Sequence, residues 1–347
     1  VETQSINESA APCFISRAGD MFRLSQLPKD GVLLGTHAAA TTKEPGDIGR
    51  LIRVSGDEWL AFSSRGDRLW KLQAATEGTS FQTTAIRLPE PVAEAVAFVK
   101  GQLIAASEKG RVYAVDWKSG KGEYRPLQLP ASPRERFTWV DATATAEGEV
   151  LLADREHGVF RVSLRDAPTR HVSLEAAATT DVGPSGIVEL SGIVLTVDGR
   201  YTMHAHRLPD LESEGDLELG GRCVWGPVAV GDAALLAIDD GRLLIVDQTP
   251  EIRGRIDLQN DRPTGRPWQV GTEVLLATRR GAVLRIDPGQ GKILDRSDLH
   301  VPLVSGPIDI QGTIVVGTTD GHLVFLDAEP LLSLNDPRNV MPFRQNP

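Results

Sequence analysis

Arginine and tryptophan recur just ahead of apolar runs in this chain of 347 residues. Arg134, Arg136 and Trp139 precede or open one such run, Arg222 and Trp225 a second, and Arg262, Arg266 and Trp268 a third. Polar turns contribute Arg65, Lys109, Arg155, Arg279 and Arg280. A guanidinium presents a planar fork to carboxylates, and an indole anchors interfaces, so this pairing suits capture of an anionic partner. The plainer expectation stands beside it. Trp139, Trp225 and Trp268 hold nearly equivalent places in a repeat, as side chains packed between structural units would. The turn arginines neighbour Asp67, Glu108, Asp154, Glu156, Asp239, Asp240 and Asp320, where solvated ion pairs contribute little energy each.

Groups suited to bond-making are sparse. His204 and His206 lie two apart on an apolar run, so on a strand both rings point to one face and could begin a metal site. No nearby Cys, Asp or Glu completes it, and no metal site is expected. His157 sits beside Asp154 and Glu156 in a turn and is read as an exposed histidine, not an acid–base group. Asp239 and Asp240 are adjacent, without the controlled separation that glycosidase carboxylates need. Glu212, Glu214, Asp216 and Glu218 alternate as a solvated outer strand does. Nucleophile elbow, phosphate loop, His-Glu-x-x-His and Ca²⁺ loop are all missing from the sequence. Cys13 and Cys223 are the two cysteines, too few for a disulfide framework or a Cys-rich metal centre, and are read as small apolar residues in strands.

A net charge of −10 argues against nucleic acid and anionic membrane surfaces as partners. No run approaches the ~18 apolar residues of a membrane-spanning helix. No signal peptide is visible, but the chain starts at Val1, so this says little about a leader.

The elements that must position these residues are set by internal repetition. A polar turn ending in glycine leads a second apolar strand at Gly19, Gly66, Gly110, Gly158, Gly199, Gly241, Gly281 and Gly321, at intervals of 47, 44, 48, 41, 42, 40 and 40 residues. Each unit has room for four strands. In the third these are expected over Val92–Val99, 103–107, 112–116 and 124–129. Glycine supplies the positive φ of tight hairpins. Runs such as Leu243-Leu244-Ile245-Val246 and Ile314-Val315-Val316 lack the alternation of a half-wet strand and read as buried on both faces. Four-stranded units at this period fit blades around a channel. The expectation is an all-β protein, one domain over residues 1–347, forming a β-propeller of eight four-stranded antiparallel blades. Residues 330–347 are a tail that could close the ring, and the alternative is seven blades plus an extension.

A family resemblance follows from the turns. Asp116-Trp-Lys-Ser-Gly-Lys and Asp287-Pro-Gly-Gln-Gly-Lys resemble the turn after the third strand of quinoprotein-like (PQQ-like) repeats, and 306–327 and 226–247 are similar to such a unit from first to third strand. That family includes dehydrogenases using pyrroloquinoline quinone, and non-catalytic members such as the lipoprotein of the outer-membrane assembly machine. Adjacent cysteines, present in methanol-dehydrogenase-like members, are missing here. The resemblance is therefore nearer the non-catalytic members, implies no cofactor, and favours an extracytoplasmic, periplasmic location.

The expected function is a non-catalytic scaffold that binds a protein or peptide partner, acidic in character, through the loop face around the channel mouth. The alternative is a small-ligand or quinone-dependent oxidoreductase-type site there. The candidate partner-binding residues are Arg134, Arg136, Trp139, Arg222, Trp225, Arg262, Arg266, Trp268, Arg279 and Arg280. A monomeric domain is expected, whole or as part of a longer chain.

Overall fold

The computed structural model describes residues 13–15, 21–24, 35–37, 48–55, 58–63, 68–74, 81–130, 135–310, 313–320 and 322–327. Within them the chain is all-β, with no helix. Thirty strands form eight antiparallel sheets in chain order. Six sheets, at 48–86, 92–128, 139–178, 184–218, 223–257 and 263–298, have four strands that pair strictly with their sequence neighbours. Those at 13–37 and 308–327 show three. Successive meanders of this kind are the blades of a β-propeller. Eight complete blades, the first expectation, are not present among the described residues, and the arrangement fits the stated alternative of seven blades with an extension. Gly19, Gly66 and Gly321, three of the repeat anchors, lie outside the described residues, as do Arg65, Asp67, Arg134 and the tail 330–347.

The chain forms two compact units, one from the first two and last two sheets, the other from the four between. In the four-sheet unit the first strands Val92–Val99, Trp139–Ala144, Pro184–Leu190 and Cys223–Val230 approach one another in sequence order. Second and third strands are buried on both faces, as in Ala233–Ile238 and Arg242–Asp247. One face of the 184–218 sheet carries Leu195, Val197, Met203 and Ala205 against Ala234, Leu236, Leu244 and Val246 of the next. Its other face carries Ile187 and Val194 against Leu151, Ala153 and Val159 of the preceding sheet. This two-sided burial explains the continuous apolar runs. Fourth strands face water. Glu212, Glu214, Asp216 and Glu218 are all exposed, as expected. A bulge between Ser213 and Gly215 breaks their alternation, so Glu214 pairs with Arg207 while Asp216 pairs with His204.

Local differences from the expected third unit have physical causes. Its first strand is Val92–Val99 and its second and third start one residue early, at Gln102 and Arg111. The fourth shrinks to Leu127–Gln128, because Pro126 and Pro130 lack the N–H a ladder needs. Arg125 pairs instead with the next sheet, its N–H donating to Arg170 O at 2.9 Å and its carbonyl accepting from Val172 at 3.0 Å. Positive φ occurs at the anchors Gly110, Gly158, Gly241 and Gly281. Gly199 differs: there Asp198 Oδ1 accepts from the N–H groups of Arg200 and Thr202 at 2.8 and 3.0 Å and shapes the turn instead.

Candidate functional site

In a four-stranded meander, the turn between second and third strands lies at the same end as the loop entering the first. Hydrogen bonds tie the two together. Arg155 N–H donates to Thr138 O at 3.0 Å, Asp239 N–H to Arg222 O at 2.9 Å, and Arg279 N–H to Arg262 O at 2.8 Å. Side-chain carboxylates reinforce the ties. Glu90 Oε1 accepts from Ser107 Oγ at 2.8 Å and Tyr113 OH at 2.9 Å, and Lys109 Nζ lies 3.3 Å from Oε2. Burial opposes ionisation of Glu90, but the bonds from Ser107, Tyr113 and Lys109 outweigh it and hold its carboxyl below the usual range. Buried Asp261 accepts at Oδ1 from Arg262 N–H at 2.7 Å and Arg280 N–H at 3.1 Å, joining loop to turn with one oxygen.

The candidate residues separate by environment. Within the four-sheet unit, Trp139 is 8% exposed. Its Nε1–H donates to Ser107 O at 2.8 Å, and its ring stacks on Phe137 at 5.0 Å and meets Phe160 edge-on at 5.9 Å. It packs between the 92–128 and 139–178 sheets. Trp225 is half-buried, and its carbonyl accepts from Cys223 Sγ at 3.3 Å. Cys223 is a free thiol, pushed up to about 11 by burial. Arg222 and Arg136 are exposed, with Arg222 Nε 3.9 Å from Asp239. His157 is not the exposed turn residue expected: it is partly buried, its Nδ1 is 2.6 Å from Asp154 Oδ1, and its ring stacks on Phe137 at 4.4 Å.

In the other unit, Arg262, Arg266, Arg279 and Arg280 are all exposed, and their guanidinium groups have no carboxylate partner among the described residues. Arg280 Nη1 reaches only Gln259 O, at 3.4 Å. Half-buried Trp268 packs against the cluster of Leu275, Ala277, Leu299 and Leu303. The Arg266 backbone is fixed by a close approach: a Cβ on Gly306 would lie 1.9 Å from Arg266 O, and one on Gly265 1.9 Å from Gly306 N. Glycine at both positions lets the two backbones touch.

Sequence reasoning missed Tyr201. The run led by Gly199 reads as a strand in the sequence, but that strand is Thr202–Arg207, which leaves Tyr201 in the turn with 54% exposure. The signal was Asp198, whose side chain lengthens the turn. Asp261 was missed too, since one aspartate before an arginine says nothing about burial. No group of three or more His, Cys, Asp or Glu suited to a metal occurs among the described residues.

Comparison with known proteins bears on these blades. Residues 25–184, just under half of the chain, match the family model described as outer membrane protein assembly factor BamB. This match supports a resemblance to PQQ-like-repeat β-propellers, nearer the BamB-type members. Solved structures give the same fold for these repeats. The propeller is similar to the computationally designed Ika8 protein (TM-score 0.69, 11% identity, covering 93% of this chain and 95% of that one). It is similar to BamB from Moraxella catarrhalis (0.62, 15%, 94% and 96%). It also resembles Sqt1 from Saccharomyces cerevisiae (0.63, 10%, 81% and 82%). No curated protein matches it.

Proposed function

We propose that this PQQ-like-repeat propeller is a non-catalytic scaffold that docks an acidic protein or peptide segment on the loop ends of its blades. One observation carries the reading: Arg262, Arg266, Arg279 and Arg280 are exposed and without carboxylate partners among the described residues, on a backbone pinned by Asp261. In a chain of net charge −10, unpaired arginine forks on a rigid base suit carboxylates supplied from outside. In the other unit, Arg136, Arg222, Trp225 and Tyr201 form a candidate surface of their own. Trp139 contributes by holding its blades together. Likeness to an outer membrane protein assembly factor supports a partner in protein assembly and an extracytoplasmic setting.

Photo-crosslinkers placed at Arg279 and at Leu294, an exposed residue on an outer strand, test this in the native host. One discrete adduct from position 279, absent from 294 and reduced at least tenfold by Arg266→Ala with Trp268→Ala, is the expected result. Equal adducts from both positions would remove the loop-end assignment. Stoichiometric uptake of pyrroloquinoline quinone with Ca²⁺ would overturn the non-catalytic reading.

A further inference from the structure

Among the described residues, several buried polar side-chain atoms without hydrogen-bond partners gather on one face of the 184–218 sheet: His204 Nε2, both ring nitrogens of His206, and Thr196 Oγ1. Register explains the gathering. Thr196 pairs with His204 and Val194 with His206 across adjacent strands, and the ladder there has no bulge. Side chains two apart share a face, so the two imidazoles and the hydroxyl stand together. Met203, Ala205, Leu195 and Val197 occupy the opposite face. The wall in front of the histidines is apolar, made by Leu151, Ala153, Val159, Ala176, Ala178, Leu208 and Leu211. His206 is 5% exposed and Thr196 fully buried. Neither ring nitrogen of His206 makes a hydrogen bond of normal geometry.

Buried polar atoms left without partners destabilise the fold, so a group that satisfies them should stabilise it. The chemistry of the set says which group. His204 Nδ1 is 2.7 Å from Asp216 Oδ1, so its N–H is directed at the carboxylate and the lone pair sits on the buried, unpartnered Nε2. An imidazole whose second nitrogen is held by a carboxylate is the arrangement of a metal-binding histidine.

We propose that His204 and His206 form a two-imidazole site for a borderline divalent cation such as Zn²⁺ or Cu²⁺. Asp216 orients His204, and the Thr196 hydroxyl holds a metal-bound water. Imidazole ligands on an apolar wall select these ions over Mg²⁺ or Ca²⁺, which need oxygen donors. Entry is from the Asp216 side, where the His204 side chain is 18% exposed. With two protein ligands, this is an open, exchangeable site rather than a closed structural centre.

Titration of the purified full chain with Cu²⁺ and Zn²⁺ alone tests the site. One equivalent of Cu²⁺ with two-nitrogen hyperfine structure in the electron paramagnetic resonance spectrum is expected, along with a Zn²⁺-dependent rise in Tm reversed by chelator. Asp216→Asn should weaken binding about tenfold, the loss typical of removing such an orienting partner. His204→Gln and His206→Phe should each abolish the two-nitrogen signal. The first lies near the surface, and the second fills the space with an apolar ring, so both should stay folded. His322→Gln should change nothing. Failure of the native chain to bind either ion, or an unchanged signal in the His204 and His206 variants, would overturn the proposal.

Discussion

Trp139 and Trp268 look equivalent in the sequence repeat, but register separates them: Trp139 opens its strand opposite Asp154, whereas Trp268 lies late in its strand opposite Leu275. Trp139 is buried between two sheets with its N–H spent on Ser107 O, and Lys109 in the adjoining turn is paired with Glu90. Trp268 is half-buried, and the four arginines of its loop end have no carboxylate partner among the described residues. A tryptophan at the start of the strand thus serves packing between blades, while one deeper in the strand sits partly open beside surface arginines.

The contrast can be broken from its strongest side. Trp139→Ala should cost about 3–5 kcal/mol in chemical denaturation, as expected for a large buried aromatic. Trp268→Ala should cost clearly less, and equal losses would mean that the two residues do the same job. Gly306→Ala should rank next, on the order of 1–3 kcal/mol, because the added carbon meets Arg266 O and the backbones must separate. Asp261→Ala removes the shared acceptor of Arg262 and Arg280 and should cost about 1–3 kcal/mol. Hydrogen exchange should quicken at those two amides and not at Arg155.

The pairing side of the contrast has a pH signature. Glu175 accepts from Arg165 at 2.5 and 2.9 Å and from Ser163 at 2.5 Å, and the Arg165 guanidinium, against opposing burial, holds its carboxyl down at about 2. A lowered carboxylate pKa means this stabilisation is complete above the ordinary value near 4.5 and drains away as pH falls towards 2. Glu175→Gln should therefore lower the unfolding midpoint at pH 6 and converge with the native chain near pH 2. A gap that persisted at pH 2 would assign the effect to packing. Smallest of all, Arg279→Ala with Arg280→Ala should leave stability within ~0.5 kcal/mol, because exposed arginines without carboxylate partners contribute little folding energy. A larger loss would show that they are structural.

Spacing of the glycine-led turns and the unbroken apolar runs were enough to establish an all-β chain of repeated four-stranded units, because hairpin φ angles and two-faced burial are local demands that each residue type registers on its own. Strand limits in the third unit could be read almost to the residue until Pro126, where pairing passed to a neighbouring sheet that local pattern cannot see. The candidate site was legible only as a census: Arg262, Arg266, Arg279 and Arg280 are visible as charges, but which arginines find carboxylates depends on residues far away in the chain. Packing between sheets decided that Trp139 is core, that Tyr201 stays in a turn, that Asp261 is buried beneath two arginines, and that His204 and His206 face an apolar wall with their nitrogens unsatisfied. Burial and partnership are properties of pairs of elements, and a single strand's sequence encodes only its own half of each pair.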